Sequence, residues 1–202
     1  SGARAAAAGY SSSERKTVPQ SDKASPAEIH QTLSLLLAQL TLRPAHREHL
    51  RSPKRGLSDE QIESLGFKST PPPFLCRAIT DRLIRQGCRV QGVPGFYRDD
   101  SGHWTMAFYK KTSGILIPAV GFDGRLQGFQ IMLDVPLKHK DDPPEKPGAK
   151  YIWFSSSSKT DGTGSGSPVH LIGDPSARVV YVIEGLLKAD ISHCLTGRTF
   201  AA

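Results

Sequence analysis

Apolar positions along the chain change their spacing once, near Gly92. Before it they recur at helical intervals. Ser25-Pro-Ala-Glu28 offers an N-cap, a proline at the first helical position and a glutamate at the third, and Leu33, Leu35, Leu36, Leu37 and Leu40 follow. Ser58-Asp-Glu-Gln61 repeats the capping pattern, carries Ile62 and Leu65, and meets Gly66 as a left-handed stop. A third helix is predicted from about Pro73 to Gln86, with Phe74, Ala78, Ile79 and Leu83 on one face and Gly87 closing it.

After Gly92 the period shortens. Trp104–Tyr109, Ile115–Val120 and Leu126–Leu133 read as strands, the last two joined by the turn Gly121-Phe-Asp-Gly124. In Leu126–Leu133 one face carries Leu126, Gly128, Gln130 and Met132 and the other Gln127, Phe129, Ile131 and Leu133. Residues 136–149 are Pro-rich and charged, a surface loop, and Tyr151–Phe154 is a short strand. Residues 155–168 form a Ser/Gly loop. Val179–Ile183 is continuously apolar, as a central parallel strand is, and a helix from about Leu186 to Leu195 runs to Gly197. The fold class predicted is α+β: a helical lead over 25–91, a small antiparallel β subdomain over 92–178, and the first βα unit of an α/β fold over 179–202.

Residues 1–24 hold almost no large apolar side chain and predict a flexible basic arm. No apolar run approaches the ~20 residues of a bilayer span, and the N-terminus lacks a signal-like apolar stretch, so the expected location is the cytoplasm with no membrane contact. Cys76, Cys88 and Cys194 are widely spaced and never in a C-x-x-C pair, which indicates idle thiols rather than disulfides or zinc. The net charge of +7 is uneven. Residues 1–57 hold nine Lys and Arg against four acids, +5 of the total, the asymmetry of a nucleic-acid-binding surface or of a solvated basic face.

A set of motifs in order then narrows the reading. Arg55-Gly-Leu-Ser-Asp-Glu-Gln-Ile62 with Leu65-Gly-Phe67, Val93-Pro-Gly-Phe-Tyr97, Ser113-Gly-Ile-Leu-Ile-Pro118, Phe122-Asp-Gly-Arg-Leu-Gln-Gly-Phe129, Lys150-Tyr-Ile-Trp-Phe-Ser155 and Tyr181-Val-Ile-Glu-Gly185 resemble, in sequence, the bacterial replicative primase core and its relatives on plasmids, phages and integrative elements. Gly162-Thr-Gly-Ser-Gly-Ser-Pro-Val169 is similar to the mobile-element branch. The resemblance covers residues 55–202. It implies a basic β subdomain followed by the opening strand and helix of a TOPRIM domain, with the rest of that domain beyond Ala202. It implies a nucleotidyltransferase of the DNA-directed RNA polymerase type, in which Glu184 serves general acid/base catalysis and Arg125, Lys150, Lys159 and Lys188 hold nucleotide or nucleic acid. Partners implied are single-stranded DNA or RNA, nucleotides and a helicase or other replication protein. Mg2+ or Mn2+ is implied only for a longer protein, whose metal-holding acidic residues would follow Ala202. A binding module without catalysis, or a TOPRIM nuclease or topoisomerase-like protein, are the alternatives. The sequence departs from the primase pattern at Gly114 and Met132, where arginines are usual.

Independently of that resemblance, a carboxylate at the C-terminal end of a parallel strand, as Glu184 is expected to be, lies where open α/β sheets bind ligands. Its other reading is a cap on the following helix. Gly162–Ser167 could cradle phosphate but lacks the G-K-S/T of a P-loop and reads as a mobile loop. His46 and His49 stand on a possible helix as an exposed polar face, metal ligation being the other reading. Trp104, Tyr109, Tyr151 and Trp153 could stack bases, although alternation sends about half of such residues to the core.

Overall fold

The computed structural model describes residues 18–138, 142–143 and 145–202. Its capping boxes form as the sequence predicts. In α1 (Pro26–Ala38) the Glu28 N–H donates to Ser25 Oγ while the Ser25 N–H donates to Glu28 Oε2 at 2.8 Å. Ser58 and Gln61 do the same for α3 (Asp59–Ser64). Between them α2 (Pro44–Arg51) opens on a proline. The third predicted helix splits into a 3₁₀ turn over Pro73–Leu75 and α4 (Cys76–Arg85). Its buried face is Cys76, Ile79, Thr80 and Leu83, whereas Phe74 is 80% exposed and Ala78 is exposed too. The 3₁₀ turn, with three residues per turn, takes Phe74 off the α-helical stripe that includes Ile79 and Leu83.

The main sheet is antiparallel with order β1 (Lys68–Ser69), β4 (Gly114–Val120), β5 (Leu126–Leu137), β6 (Ala149–Trp153). A hairpin of β2 (Phe96–Arg98) and β3 (Trp104–Met106) stands beside it. The strand expected at 104–109 is therefore shorter, and β5 runs four residues past its expected end. Strong alternation gives each face of β5 its own core. Phe129, Ile131 and Leu133 join α1, α4 and the hairpin around Phe154, whose ring stacks on Phe108 at 4.4 Å. Met132, with Ile115, Ile117 and Ala119 from β4, packs against Leu50, Ile62, Leu186 and Leu187. The register Ile115↔Met132↔Tyr151 and Ile117↔Gln130↔Trp153 lines up one continuous face.

Order also reaches further N-terminally than Ser25. Ala24 is buried, the Ser21 N–H donates to Gly162 O, and Lys23 Nζ donates to Ser165 O, so the part of the arm from residue 18 lies along the Ser/Gly loop. Residues 1–17 lie outside the described ones. The Ser/Gly loop expected to be mobile is tied in turn: Ser156 Oγ donates to Phe96 O at 2.7 Å, and Ser156, Thr163 and Ser165 are buried.

The run expected to be a central strand is not one here. Only Tyr181–Val182 form β8, at the edge of a three-stranded sheet β7 (Leu171–Ile172), β9 (Phe200–Ala201), β8. It pairs parallel to β9, which comes later in the chain, and Val182 is 87% exposed. Neither the preceding sheet nor a second copy supplies its partner. After it, α5 (Leu186–Thr196) ends on Gly197 at φ +67°, the left-handed stop expected there. His170 fastens this unit to the main sheet: its Nδ1 accepts from the Val120 N–H at 3.0 Å, so its Nε2 carries the proton and donates to the buried Asp190 at 3.0 Å. Burial pushes the Asp190 carboxyl above its ordinary pKa, against the hydrogen bond and charge of His170.

Candidate nucleic-acid interface

Positions 130, 132 and 134 of β5 point to the same face, and two clefts open over them in succession. Gln130, Tyr151, Glu184, Gly185, Leu187 and Lys188 line one, of about 210 Å³. His46, His49, Met132, Asp134 and Lys150 are among the walls of the other, of about 370 Å³. Residues 130 and 134 are about 13 Å apart along a strand, so the clefts are neighbours.

The second cleft has a rigid wall. Asp134 Oδ2 accepts from Arg43 Nη2 at 2.9 Å and from Ser113 Oγ at 2.7 Å, and Asp134 Oδ1 lies 2.8 Å from His46 Nε2. Ser69 Oγ, on β1, lies 2.8 Å from His46 Nδ1 and accepts from the Arg43 N–H. His46 is thus buried rather than on the exposed polar face expected for it, because α2 lays it against the sheet edge. Burial pushes the His46 imidazole below its ordinary pKa, more than Asp134 can offset. Burial alone would raise Asp134, but the hydrogen bonds from Ser113, Arg43 and His46 outweigh it and hold the carboxyl low.

The predicted site residues divide into three places. Glu184 and Lys188 share the first cleft and pair at 3.2 Å, with the Glu184 side chain 93% exposed. Lys150 stands in the second cleft, one residue from Tyr151. Arg125 is elsewhere, in the β4–β5 turn, where it pairs with Asp123 at 2.9 Å. From Leu126 to the Met132–Tyr151 rung is about 20 Å of strand, beyond a Debye length of about 10 Å at 0.1 M salt. The hairpin's length carries Arg125 away, so the expected convergence of Glu184, Lys150 and Arg125 on one reacting group is met by the first two alone. Lys159 is remote as well, over the rings of Tyr97 and Tyr109 at 5.6 and 5.4 Å. Burial, and then the hydrogen bond with Tyr109, push the Tyr97 hydroxyl well above its ordinary pKa.

Of the aromatic residues, Tyr151 and Trp153 pack on the second core, Trp104 packs on the first beneath Arg98, and Tyr109 is exposed. Cys76 and Cys88 are buried and Cys194 half-buried, all free; burial raises the Cys76 thiol to about 11. The Arg43–His46–Asp134 network was not foreseen. Its only sequence trace is that Asp134 continues the alternation of β5 past Leu133.

No protein-family model and no curated protein matches the chain. Solved structures do. The RNA polymerase domain of Mycobacterium tuberculosis primase DnaG, in complex with a double-stranded DNA oligomer with a 6-nucleotide overhang, aligns at TM-score 0.59 and 19% identity. The alignment covers 89% of this chain and 55% of that one. The fold is that of a bacterial primase polymerase domain. The Aquifex aeolicus primase, with its zinc-binding and RNA polymerase domains, matches at 0.57 and 16%, over 89% of this chain and 43% of its own. A DnaG primase catalytic domain bound to ssDNA matches at 0.50 and 19%, over 87% and 53%. The chain thus spans about half the length of these primase structures. Among its described residues no helix is long and apolar enough to cross a membrane.

Proposed function

We propose that the chain is the nucleic-acid-binding portion of a primase-like nucleotidyltransferase of a mobile element, which a TOPRIM domain beginning at β8 would complete. The observation that carries this reading is a primase polymerase fold, over nearly the whole chain, whose second face opens into adjoining clefts holding Lys150 in one and Glu184 with Lys188 in the other. Lys150 and Lys188 are the cations proposed to meet phosphates there, since opposed charge and counterion release favour that contact. Glu184 is the proposed general acid/base, at the C-terminal end of β8 beside the helix start. Arg125 and Lys159 would touch a bound strand only outside the clefts, Lys159 among aromatic rings of the kind on which bases stack.

Glu184 is the one carboxylate lining its cleft, and among the described residues no group of three or more His, Cys, Asp or Glu is placed to hold a metal ion. The Mg2+ or Mn2+ proposed for the longer protein therefore lacks a donor set among these residues. A binding module without chemistry is the second reading, favoured by the exposure of Glu184 and its ion pair with Lys188.

Fluorescence anisotropy of a labelled single-stranded DNA or RNA against this chain tests the binding claim. The expected result is sequence-tolerant affinity that falls linearly with log salt concentration. Absence of binding at low salt, or affinity indifferent to salt, removes the proposal. In a longer protein with transfer activity, Glu184→Gln is expected to abolish transfer and leave oligonucleotide affinity nearly unchanged. Retained transfer would take Glu184 out of the chemistry.

A further inference from the structure

Between the two clefts lies a guanidinium that the site described so far does not use. Arg55 follows α2 in a tight turn in which the Arg55 and Gly56 N–H groups both donate to Ser52 O at 2.8 Å. The turn sends its side chain across the sheet face. There Arg55 Nη2 lies 3.8 Å from Met132 Sδ and 3.5 Å from Tyr151 Oη. Met132 walls one cleft and Tyr151 the other. Arg55 Nε is buried with no hydrogen-bond partner, and no carboxylate pairs with Arg55 among the described residues. A thioether and a long phenol contact satisfy a guanidinium poorly, since its five N–H donors are built for planar oxyanions.

Other cations surround it. Burial first, and then the positive charges of Arg55, Lys150, His46 and Lys54, press the His49 imidazole below its ordinary pKa. Asp134, on the same wall, is already engaged by Arg43, His46 and Ser113. Lys54 and Lys150 likewise have no carboxylate partner among the described residues. Unneutralised positive charge with a buried unpaired donor at its centre is an arrangement that an external anion would complete.

The backbone accounts for where this guanidinium comes from. Position 114, where the primase pattern usually carries an arginine, can hold no side chain here, because a Cβ would overlap the Met132 carbonyl oxygen of the adjacent strand. Position 132, the other usual arginine, is a buried methionine. Arg55 brings a guanidinium to the space above that methionine from a different element.

The geometry points to Arg55 as a phosphate-binding bridge between the clefts, with Lys150 and His49 as its partners in the larger one. The ligand is a phosphate group, carried either by a nucleic-acid backbone or by the polyphosphate tail of a nucleotide. This inference rests on the proposed function for the class of ligand, and the test keeps the two apart.

Three probes are titrated against the wild-type chain and against Arg55→Met, a variant of similar length and no charge: inorganic tripolyphosphate, ATP, and a labelled single-stranded oligonucleotide. Circular dichroism and thermal melting establish that the variant is folded; if it is not, Lys150→Met and His49→Gln carry the same comparison. The expected result is a loss of about tenfold or more in affinity for at least one probe, as removal of a charged hydrogen-bond donor produces. Loss confined to tripolyphosphate and ATP assigns the bridge to a nucleotide tail, and loss confined to the oligonucleotide assigns it to the backbone. Folded variants that bind all three probes within twofold of the wild type overturn the inference while leaving the proposed function standing. A wild-type chain that binds none of the probes removes both.

Discussion

The two faces of the main sheet are made by the same strands and do opposite things. The face under α1 and α4 buries Phe96, Phe129 and Phe154 with Leu33, Leu36 and Leu83, and its aromatic rings leave no polar group to satisfy. On the face under α2, α3 and α5, apolar side chains also pack, yet Gln130, Met132 and Asp134 of β5 emerge in turn into clefts beside Glu184, Arg55 and Lys150. The difference is coverage. Two long amphipathic helices seal the first face, while a helix of eight residues, one of six and one arriving from the C-terminal unit cover the second only in pieces. Stability is concentrated on the sealed face and chemistry in the gaps of the other.

The largest effect that would break this comparison is on the sealed side. Phe154→Ala is expected to cost about 3–5 kcal/mol in urea denaturation, because it removes the ring on which Phe96, Phe108 and Phe129 converge. A cost below 1 kcal/mol would mean that this core is not continuous. Gly114→Ala, at the strand junction both faces share, is expected to cost about 1–3 kcal/mol, since a methyl group cannot enter against the Met132 backbone without moving β4 from β5. An unchanged melting temperature would contradict the close approach of those strands.

Acidification sharpens the contrast with a smaller effect, confined to the cleft side. His46 and Asp134 both have folded-state pKa values below their ordinary ones, so the unfolded chain binds their protons first and stability falls as pH falls. For His46 the loss begins near its ordinary 6.5 and continues downward through the depressed folded value; for Asp134 it begins near 3.8. Asp190, raised by burial, works in the opposite sense, because it accepts its proton more readily in the folded state. Comparing melting temperatures at pH 7 and pH 5 for the wild type and His46→Gln isolates one contribution. The wild type is expected to lose more on acidification than the variant, and equal losses would show that His46 does not titrate against the fold.

How much of this was legible in the sequence follows the same division. The capped helices, the β4–β5 hairpin and the α5 stop at Gly197 were readable because each is set by residues within a few positions of one another. The short strands β1, β2 and β9 were not, since two or three residues carry no period and their pairing is decided by what tertiary packing brings alongside. Val179–Ile183 misled for a related reason. An apolar run signals burial, but the neighbours that would bury it are not among the described residues, and Val182 stays exposed. At the site, Glu184, Lys188 and Lys150 were found through motif resemblance and do stand in adjoining clefts, whereas the network of Arg43, His46, Ser69, Ser113 and Asp134 joins four separate segments and has no sequence signature. Arg55 was counted only as one of many N-terminal charges.

The central claim is that phosphates are met in the clefts and not over the basic surface at large. Oligonucleotide anisotropy across a salt series, comparing Lys150→Ala with Arg125→Ala, tests it most directly. Both variants remove one positive charge, and they differ in position by about 20 Å of strand. The expected result is that Lys150→Ala weakens binding about fivefold or more and lowers the slope of log affinity against log salt by roughly one, while Arg125→Ala stays within twofold. Equal losses from the two variants, or a larger loss from Arg125→Ala, would contradict the account.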